Sequence, residues 1–210
     1  YGGGGLHGRS YEHSENGCYP SLMNVTINDN TVHGFTVYGY GGGVHIVNYG
    51  DQPVENSIWS DVTISGNTAP RGGGVNYIKY SPTLQNVVIA DNWARSDYVT
   101  PEGNQIRLAA SSPYLTDVTI TSAVPPELDW GESYSVSDIF CDNSSPTLVN
   151  TILWNAVDSL GIYFSVQDQN GNVPDPSSIF ITYSDIQGGE SGIVTNDNGT
   201  VNWYSGNINA

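Results

Sequence analysis

One recurring unit constrains this chain more than any other feature. Ser81-Pro82-Thr83-Leu84-Gln85-Asn86-Val87-Val88-Ile89-Ala90-Asp91-Asn92 recurs with variations along the whole sequence. Related stretches are Leu22 to Ile27, Trp59 to Ile64, Ser112 to Ile120, Ser145 to Leu153 and a degenerate Ile181 to Ile186. With Val25, Val62, Val87, Val118, Thr151 and Ser184 as markers, the spacings are roughly 37, 25, 31, 33 and 33 residues. Periods of this size belong to repeat architectures. A second repeat interleaves with the first: Gly3-Gly4-Gly5-Leu6, Gly41-Gly42-Gly43-Val44 and Gly72-Gly73-Gly74-Val75. Gly103-Asn104-Gln105-Ile106 holds the same place one unit later, and Ser137-Asp138-Ile139 follows with its glycine lost.

The recurring Asn or Asp has a geometric reason. Leu84 and Val87 differ in parity, so one flat strand cannot bury both. A corner between them can, and Asn and Asp tolerate the left-handed backbone that a sharp corner needs. Stacked coils would place Asn24, Asp61, Asn86, Asp117 and Asn150 over one another. Val25 and Ile27, with their equivalents in later units, would then form inward apolar columns. Helical periodicity is almost absent and β-branched residues dominate the apolar set. The fold expected is all-β, a single-stranded right-handed parallel β-helix of about six coils. It forms one domain over residues 1–210, with a strand or hairpin extension at about 191–210 turning near Asn198-Gly199. Insertions at 93–105, 121–136 and 166–176 are expected to project as loops.

Charge narrows the partners. Five Lys and Arg stand against 21 Asp and Glu, a net charge of -16. A polyanion such as DNA needs a cationic track, so nucleic acid is excluded and a strongly anionic polysaccharide is disfavoured. No apolar run approaches the about 20 residues of a membrane span. The chain opens at Tyr1 inside a glycine run with no signal peptide, which reads as a mature or trimmed chain. Cys18 and Cys141 fall in the first and fifth units. At about 4.8 Å per coil they would lie roughly 19 Å apart, beyond disulfide reach. Cys141 aligns with Leu108 and Tyr77 and is expected inside.

The Gly-Gly-Gly-Val and Ile-x-x-Asn units resemble the short repeat of bacterial polymorphic outer membrane proteins, in which Gly-Gly-Ala-Ile and Phe-x-x-Asn recur. Ile27, Ile64 and Ile89 stand where that repeat has Phe. The Ser-Pro-Thr-Leu units and Tyr183-Ser184-Asp185-Ile186-Gln187-Gly188-Gly189 resemble secreted β-helix proteins of the pectate-lyase-like superfold. The resemblance covers most of residues 1–190. It implies the fold strongly and the function weakly, because that fold hosts lyases, hydrolases, adhesins and structural proteins.

Four positions stand out as a surface strip. His7 and His45 share one repeat position and should point outward from neighbouring coils, followed by Asn76 and Arg107. Stacked imidazoles could bind a transition metal or exchange protons. For a lyase, the resemblance implies carboxylates holding calcium and a basic residue. Lys79 and Arg107, with Asp61 or Asp117 nearby, are the residues that could serve. No catalytic residues are assigned, because Asp61 and Asp117 read better as corner residues and Lys79 as part of a solvated face. Asp168, Asn170 and Asp175 alternate around Gly171 as oxygen ligands do in a calcium loop, without the bidentate Glu of an EF-hand. The same residues read more simply as a polar Asn-Gly turn, so no cofactor is expected unless this loop takes calcium. Tyr11, Tyr38, Tyr40, Trp93, Tyr98 and Trp130 could stack on sugar rings or equally cover coil edges.

The function expected is a secreted or cell-surface structural or adhesive protein without a catalytic centre. Open coil edges suggest head-to-tail self-association into a fibre, or continuation into a neighbouring β-helix segment. The alternative is a carbohydrate-active enzyme of the polysaccharide lyase type, or a fragment of one.

Overall fold

The computed structural model describes residues 3–10, 17–33, 39–49, 57–123, 127, 133–135, 137–155, 160–167 and 172–209. Each repeat unit is one coil. The first four contribute Leu6–Ser10 with Leu22–Asn28, Val44–Asn48 with Ile58–Ser65, Val75–Ile78 with Thr83–Ala90, and Ile106–Ala109 with Tyr114–Ser122. The fifth has Ser137–Asp142, Thr147–Val149 and Ile152–Asn155, and the sixth Leu160–Phe164, Ser177–Thr182 and Asp185–Ile186. The seventh has Ile193–Val194, Gly199–Trp203 and Ile208–Asn209. The leading strands stack in coil order into a seven-stranded first sheet, and the remaining strands of these coils form a ten-stranded second sheet. Every pairing in these two sheets is parallel. This is a parallel β-helix.

The apolar columns lie in the expected register. Val25, Val62, Val87 and Val118 pair in turn, as do Ile27, Ile64, Ile89 and Ile120, and the second column runs on through Leu153 to Ile186. These side chains form one continuous core with Val44, Val75, Ile106, Ile139 and Ile162 from the first sheet. Burying each is worth about 1.5–3 kcal/mol, which no coil could gain without a neighbour.

The corner column is left-handed throughout. Asn24, Asp61, Asn86, Asp117 and Asn150 have φ of 54°, 56°, 53°, 56° and 47°. Asn86 donates its amide to Asp61 Oδ1 at 2.6 Å, and Asn150 donates to Asp117 in the same way. Tyr183 takes the corner of the sixth coil at φ 51°.

A second column of amides runs inside the wall. Asn30 Nδ2 donates to Asn67 Oδ1, Asn67 Nδ2 to Asn92 Oδ1, and Asn92 Nδ2 to Gln105 Oε1, at 2.9, 2.9 and 2.8 Å. The third glycine of each Gly-Gly-Gly makes room for it: a Cβ on Gly74 would fall 2.9 Å from Asn92 Nδ2. In the fourth coil the roles exchange. Gln105 replaces the glycine and fills the space, and Ser122 replaces the amide. Gln105 donates to Ser122, and Ser122 donates to the buried Asp138 carboxylate at 2.7 Å. Burial raises the Asp138 pKa to about 6, against the opposing hydrogen bond from Ser122.

Two expectations are corrected. The hairpin expected at about 191–210 does not form within the described residues, which end at 209; Ile193–Val194 and Gly199–Trp203 each pair in parallel with the sixth coil and make a seventh. The cause is that the apolar residues of this stretch continue the core columns, which a separate hairpin would leave in water. Trp93 does not project either. Trp93–Ser96 joins Thr68–Ala69 and Ser133–Tyr134 in a small third sheet, with Trp93 buried against Tyr134. Cys141 is buried in register with Leu108 and Phe164, where burial pushes its thiol well up, and both cysteines are free thiols. Among the described residues no helix is long and apolar enough to cross a membrane.

Candidate functional site

The four strip residues are neighbours, in the order the repeat dictates. His7 pairs with His45, His45 with Asn76, and Asn76 with Arg107, on the outer face of the first sheet. The row continues through Phe140 and Tyr163, whose rings stack at 5.6 Å.

Their environment differs from the expected one. Only His7 is exposed; His45, Asn76 and Arg107 are buried. The cover comes from Tyr40, Arg71 and Glu102, which stack in register by parallel bridges. Each directly precedes a left-handed glycine, Gly41, Gly72 or Gly103, with φ of 59°, 63° and 65°. That turn folds the chain back, so each covering residue lies beside the strip residue five positions on: Tyr40 with His45, Arg71 with Asn76, Glu102 with Arg107. A side chain at the turn would resist this conformation, and glycine accepts it.

The contacts close on themselves. Arg107 is 2% exposed. Its Nε donates to Glu102 Oε2 and one terminal nitrogen donates to Asn76 Oδ1 at 3.0 Å. The Asn76 amide is 2.8 Å from His45 Nδ1, so Nδ1 accepts and the proton sits on Nε2. Glu102 Oε1 pairs with Arg71 Nε at 3.2 Å, and Arg71 donates to the Tyr40 hydroxyl at 3.3 Å. The Tyr40 ring stacks on His45 at 5.4 Å, and both guanidiniums lie within 5.8 Å of its centroid. The His7 ring sits 5.1 Å from His45.

The electrostatics follow from this packing. Burial, reinforced by His7, lowers the His45 pKa to about 3, so the ring is neutral. Burial also works against the Arg107 charge, but the Glu102 carboxylate more than offsets it and the guanidinium pKa is raised. His7 is lowered by burial and by Arg9. The result is a buried clamp across the second, third and fourth coils, with two guanidiniums sharing one carboxylate.

The other candidates lie apart. Lys79 is an exposed corner residue at φ 52°, three positions beyond Asn76. Asp61 and Asp117 are corner residues that accept hydrogen bonds from Asn86 and Asn150. Asp168 and Asn170 lie outside the described residues, and Asp175 is exposed in the loop before Ser177–Thr182. No group of three His, Cys, Asp or Glu side chains positioned to hold a metal occurs among the described residues. Tyr11, Tyr38 and Trp130 also lie outside the described residues; Tyr40 is half-buried in the clamp and Tyr98 is exposed. Glu102 and Asp138 were not anticipated. An opposite-charge pair five apart across a glycine, as in Glu102 and Arg107, is the signal that could have found the first.

No protein-family model matches the chain, and no curated protein sequence matches it. Among solved structures, a trypsin-treated form of QnrB1, described as a plasmid-mediated fluoroquinolone resistance protein, aligns over 91% of each chain. The identity is 10% and the TM-score 0.22. At that score the superposition adds nothing to the strand register described above.

Proposed function

We propose that the chain is a structural or adhesive β-helix of the cell exterior, in which the polar cluster of the first sheet is a clamp rather than a catalytic centre. The observation that carries this reading is the closure around Arg107. A lyase-type base must give up its proton and meet a substrate. Arg107 is buried, ion-paired and more firmly protonated than a free guanidinium. His45 spends Nδ1 on Asn76, and its ring packs against Tyr40 and His7. Acidity with few basic residues and outward rows of Ser, Thr and Asn also fit an extracellular surface, as does the likeness of the repeats to outer-membrane and secreted β-helix proteins.

Polysaccharide turnover tests the proposal. Polygalacturonate, alginate and xylan incubated with the protein should yield no new unsaturated or reducing ends. Product that appears with the wild-type chain and vanishes in Arg107→Lys, with folding intact, would establish the lyase alternative instead.

The reading extends to assembly. Leu6–Ser10 and Leu22–Asn28 are paired on one side only among the described residues. A further coil, from another copy or from a longer chain, would complete them. Sedimentation velocity over a wide concentration range should show larger species as concentration rises. Monomer throughout would remove self-assembly and leave the clamp reading intact.

A further inference from the structure

The amide column in the wall runs in one sense. Asn30 donates to Asn67, Asn67 to Asn92, Asn92 to Gln105, Gln105 to Ser122, and Ser122 to Asp138, at 2.9, 2.9, 2.8, 2.9 and 2.7 Å. Every N–H or O–H in this series points toward Asp138. The backbone fixes that sense. The oxygens of Asn67, Asn92 and Gln105 also accept the backbone N–H of Asn30, Asn67 and Asn92. Their NH2 groups also donate to the carbonyls of Ile27, Ile64 and Asn92. An amide turned over would set donor against donor and acceptor against acceptor, so no member can reverse alone.

The end of the series differs in kind from its members. Asn, Gln and Ser have no proton to lose near neutral pH, and an Asp has one. Asp138 is fully buried, and its Oδ2 accepts no hydrogen bond among the described residues. Oδ1 keeps the Ser122 hydroxyl, which leaves Oδ2 as the oxygen that takes the proton. Burial opposes the charge, while the polar side chains of Ser122, Asn104 and Gln105 favour it. Other titratable groups lie on the surrounding elements, and none takes part in the five hydrogen bonds. On its own strand, Cys141 is buried in the core and Asp142 closes the strand. Arg107, on the paired strand, is held by Glu102 in the clamp. Tyr114 and Asp117 sit at the far end and corner of the strand that Ser122 closes. Asp91 accepts the N–H of Ala123, Arg95 pairs in register with Tyr134, and Tyr163 stacks on Phe140.

We propose that the column is a one-way hydrogen-bond relay with Asp138 as its proton-sensing end, so that one proton gained or lost in the fifth coil is felt, bond by bond, as far as the first. The physical basis is mutual polarisation. A hydroxyl donated to a carboxylate is held more strongly than one donated to a neutral acid. Ser122 Oγ then becomes the better acceptor for Gln105, whose oxygen becomes the better acceptor for Asn92, and so on back to Asn30. The effect weakens at each step. The relay goes beyond the adhesive reading and stands if that reading fails, because it concerns how the coils respond to pH and not what their surface holds.

Nuclear magnetic resonance of the labelled whole chain, titrated from pH 4 to 8, tests it. The carboxyl carbon of Asp138 should titrate once in this range. The side-chain amide protons of Gln105, Asn92, Asn67 and Asn30 should move with the same midpoint, by amounts that fall in that order. The corner amides of Asn86 and Asn150 are the controls and should not follow it. Ser122→Ala cuts the one link between the amides and the carboxyl. Asp138 should still titrate in that variant, at a higher pH because a donor to the anion is gone, and the shifts of Asn92, Asn67 and Asn30 should vanish. Asp138→Asn should abolish all of them. If Ser122→Ala unfolds, the order of amplitudes in the wild type decides. Amides that stay still while Asp138 titrates, shifts that persist in either variant, amplitudes without the stated order, or no titration of Asp138 in this range would each overturn the proposal.

Discussion

Glu102 and Arg107 are five residues apart and meet across a single left-handed glycine turn, so that one carboxylate closes over the guanidinium that follows it. Arg71 from the preceding coil shares the same carboxylate. Removing the carboxylate takes the ion-pair partner from the fully buried Arg107 guanidinium. Glu102→Gln should therefore cost about 3–5 kcal/mol, read as a lower urea midpoint. Replacing the pair together, Glu102→Gln with Arg107→Met, should recover part of that loss, because an apolar side chain carries no charge to strand. A double variant as unstable as the single one would show that Arg107 matters for shape rather than charge.

Asp138 sets a pH dependence of its own. Burial raises its folded pKa to about 6 from 3.8, so the folded state prefers the proton. Its contribution is fully present below pH 3.8 and is lost as pH rises through 6, a change of about 3 kcal/mol. Asp138→Asn keeps a hydrogen-bond acceptor for Ser122 and removes the charge. Its melting temperature should exceed that of the wild type at pH 7, and the gap should close at pH 4. A gap that stays constant with pH would mean the carboxyl does not titrate in this range.

His45 works in the other direction. Its folded pKa is lowered from 6.5 to about 3 by burial, so the unfolded chain takes up a proton that the folded chain refuses. Stability from this group is present above pH 6.5 and declines as pH falls towards 3. Between pH 4 and 6 the two groups oppose each other, and the wild-type profile should be nearly flat there. In Asp138→Asn the His45 slope is uncovered, and thermal melts across this interval should then show stability falling with acid.

The corner column can be probed through one residue. Asn86 holds φ 53°. Asn86→Gly keeps that conformation and should change stability by less than about 1 kcal/mol. Asn86→Val places a β-branched side chain in the left-handed region and should cost about 1–2 kcal/mol or more. Equal effects of the two substitutions would transfer the importance of this position from its backbone to its hydrogen bond with Asp61.

Ile89 tests the core register. It is fully buried in the column shared with Ile64 and Ile120. Ile89→Asp buries an unpaired charge and should abolish cooperative folding, seen as loss of the strand signal in circular dichroism. A folded variant with unchanged melting would contradict the inward orientation.

Much of the fold was legible because parity is a hard constraint. Leu84 and Val87 could share one core only across a corner, and the left-handed Asn86 supplies it. The order of His7, His45, Asn76 and Arg107 followed from the same frame. Their burial did not, since what lies over a strand depends on the turn before it. Tyr40, Arg71 and Glu102 precede glycines whose handedness no spacing rule specifies. The amide column was hidden for another reason. Its members come from two different corners, Asn92 from one and Gln105 from the other, so no single repeat position displays it. The seventh coil was misread because Asn198-Gly199 is a good hairpin signal locally, while the pairing that wins is with a strand more than twenty residues away.

The amide column also has a mechanical side. It spans the first four coils and ends at Asp138, so those gaps are crossed by side-chain as well as backbone bonds. The gap between the sixth and seventh coils is crossed in the same manner, by the amides of Asn196, Asn198, Asn202 and Asn207 donating to backbone oxygens of the sixth coil. A load drawn along the stacking axis would therefore meet side-chain as well as backbone bonds at both ends of the stack, and the coils would share it rather than peel from one end.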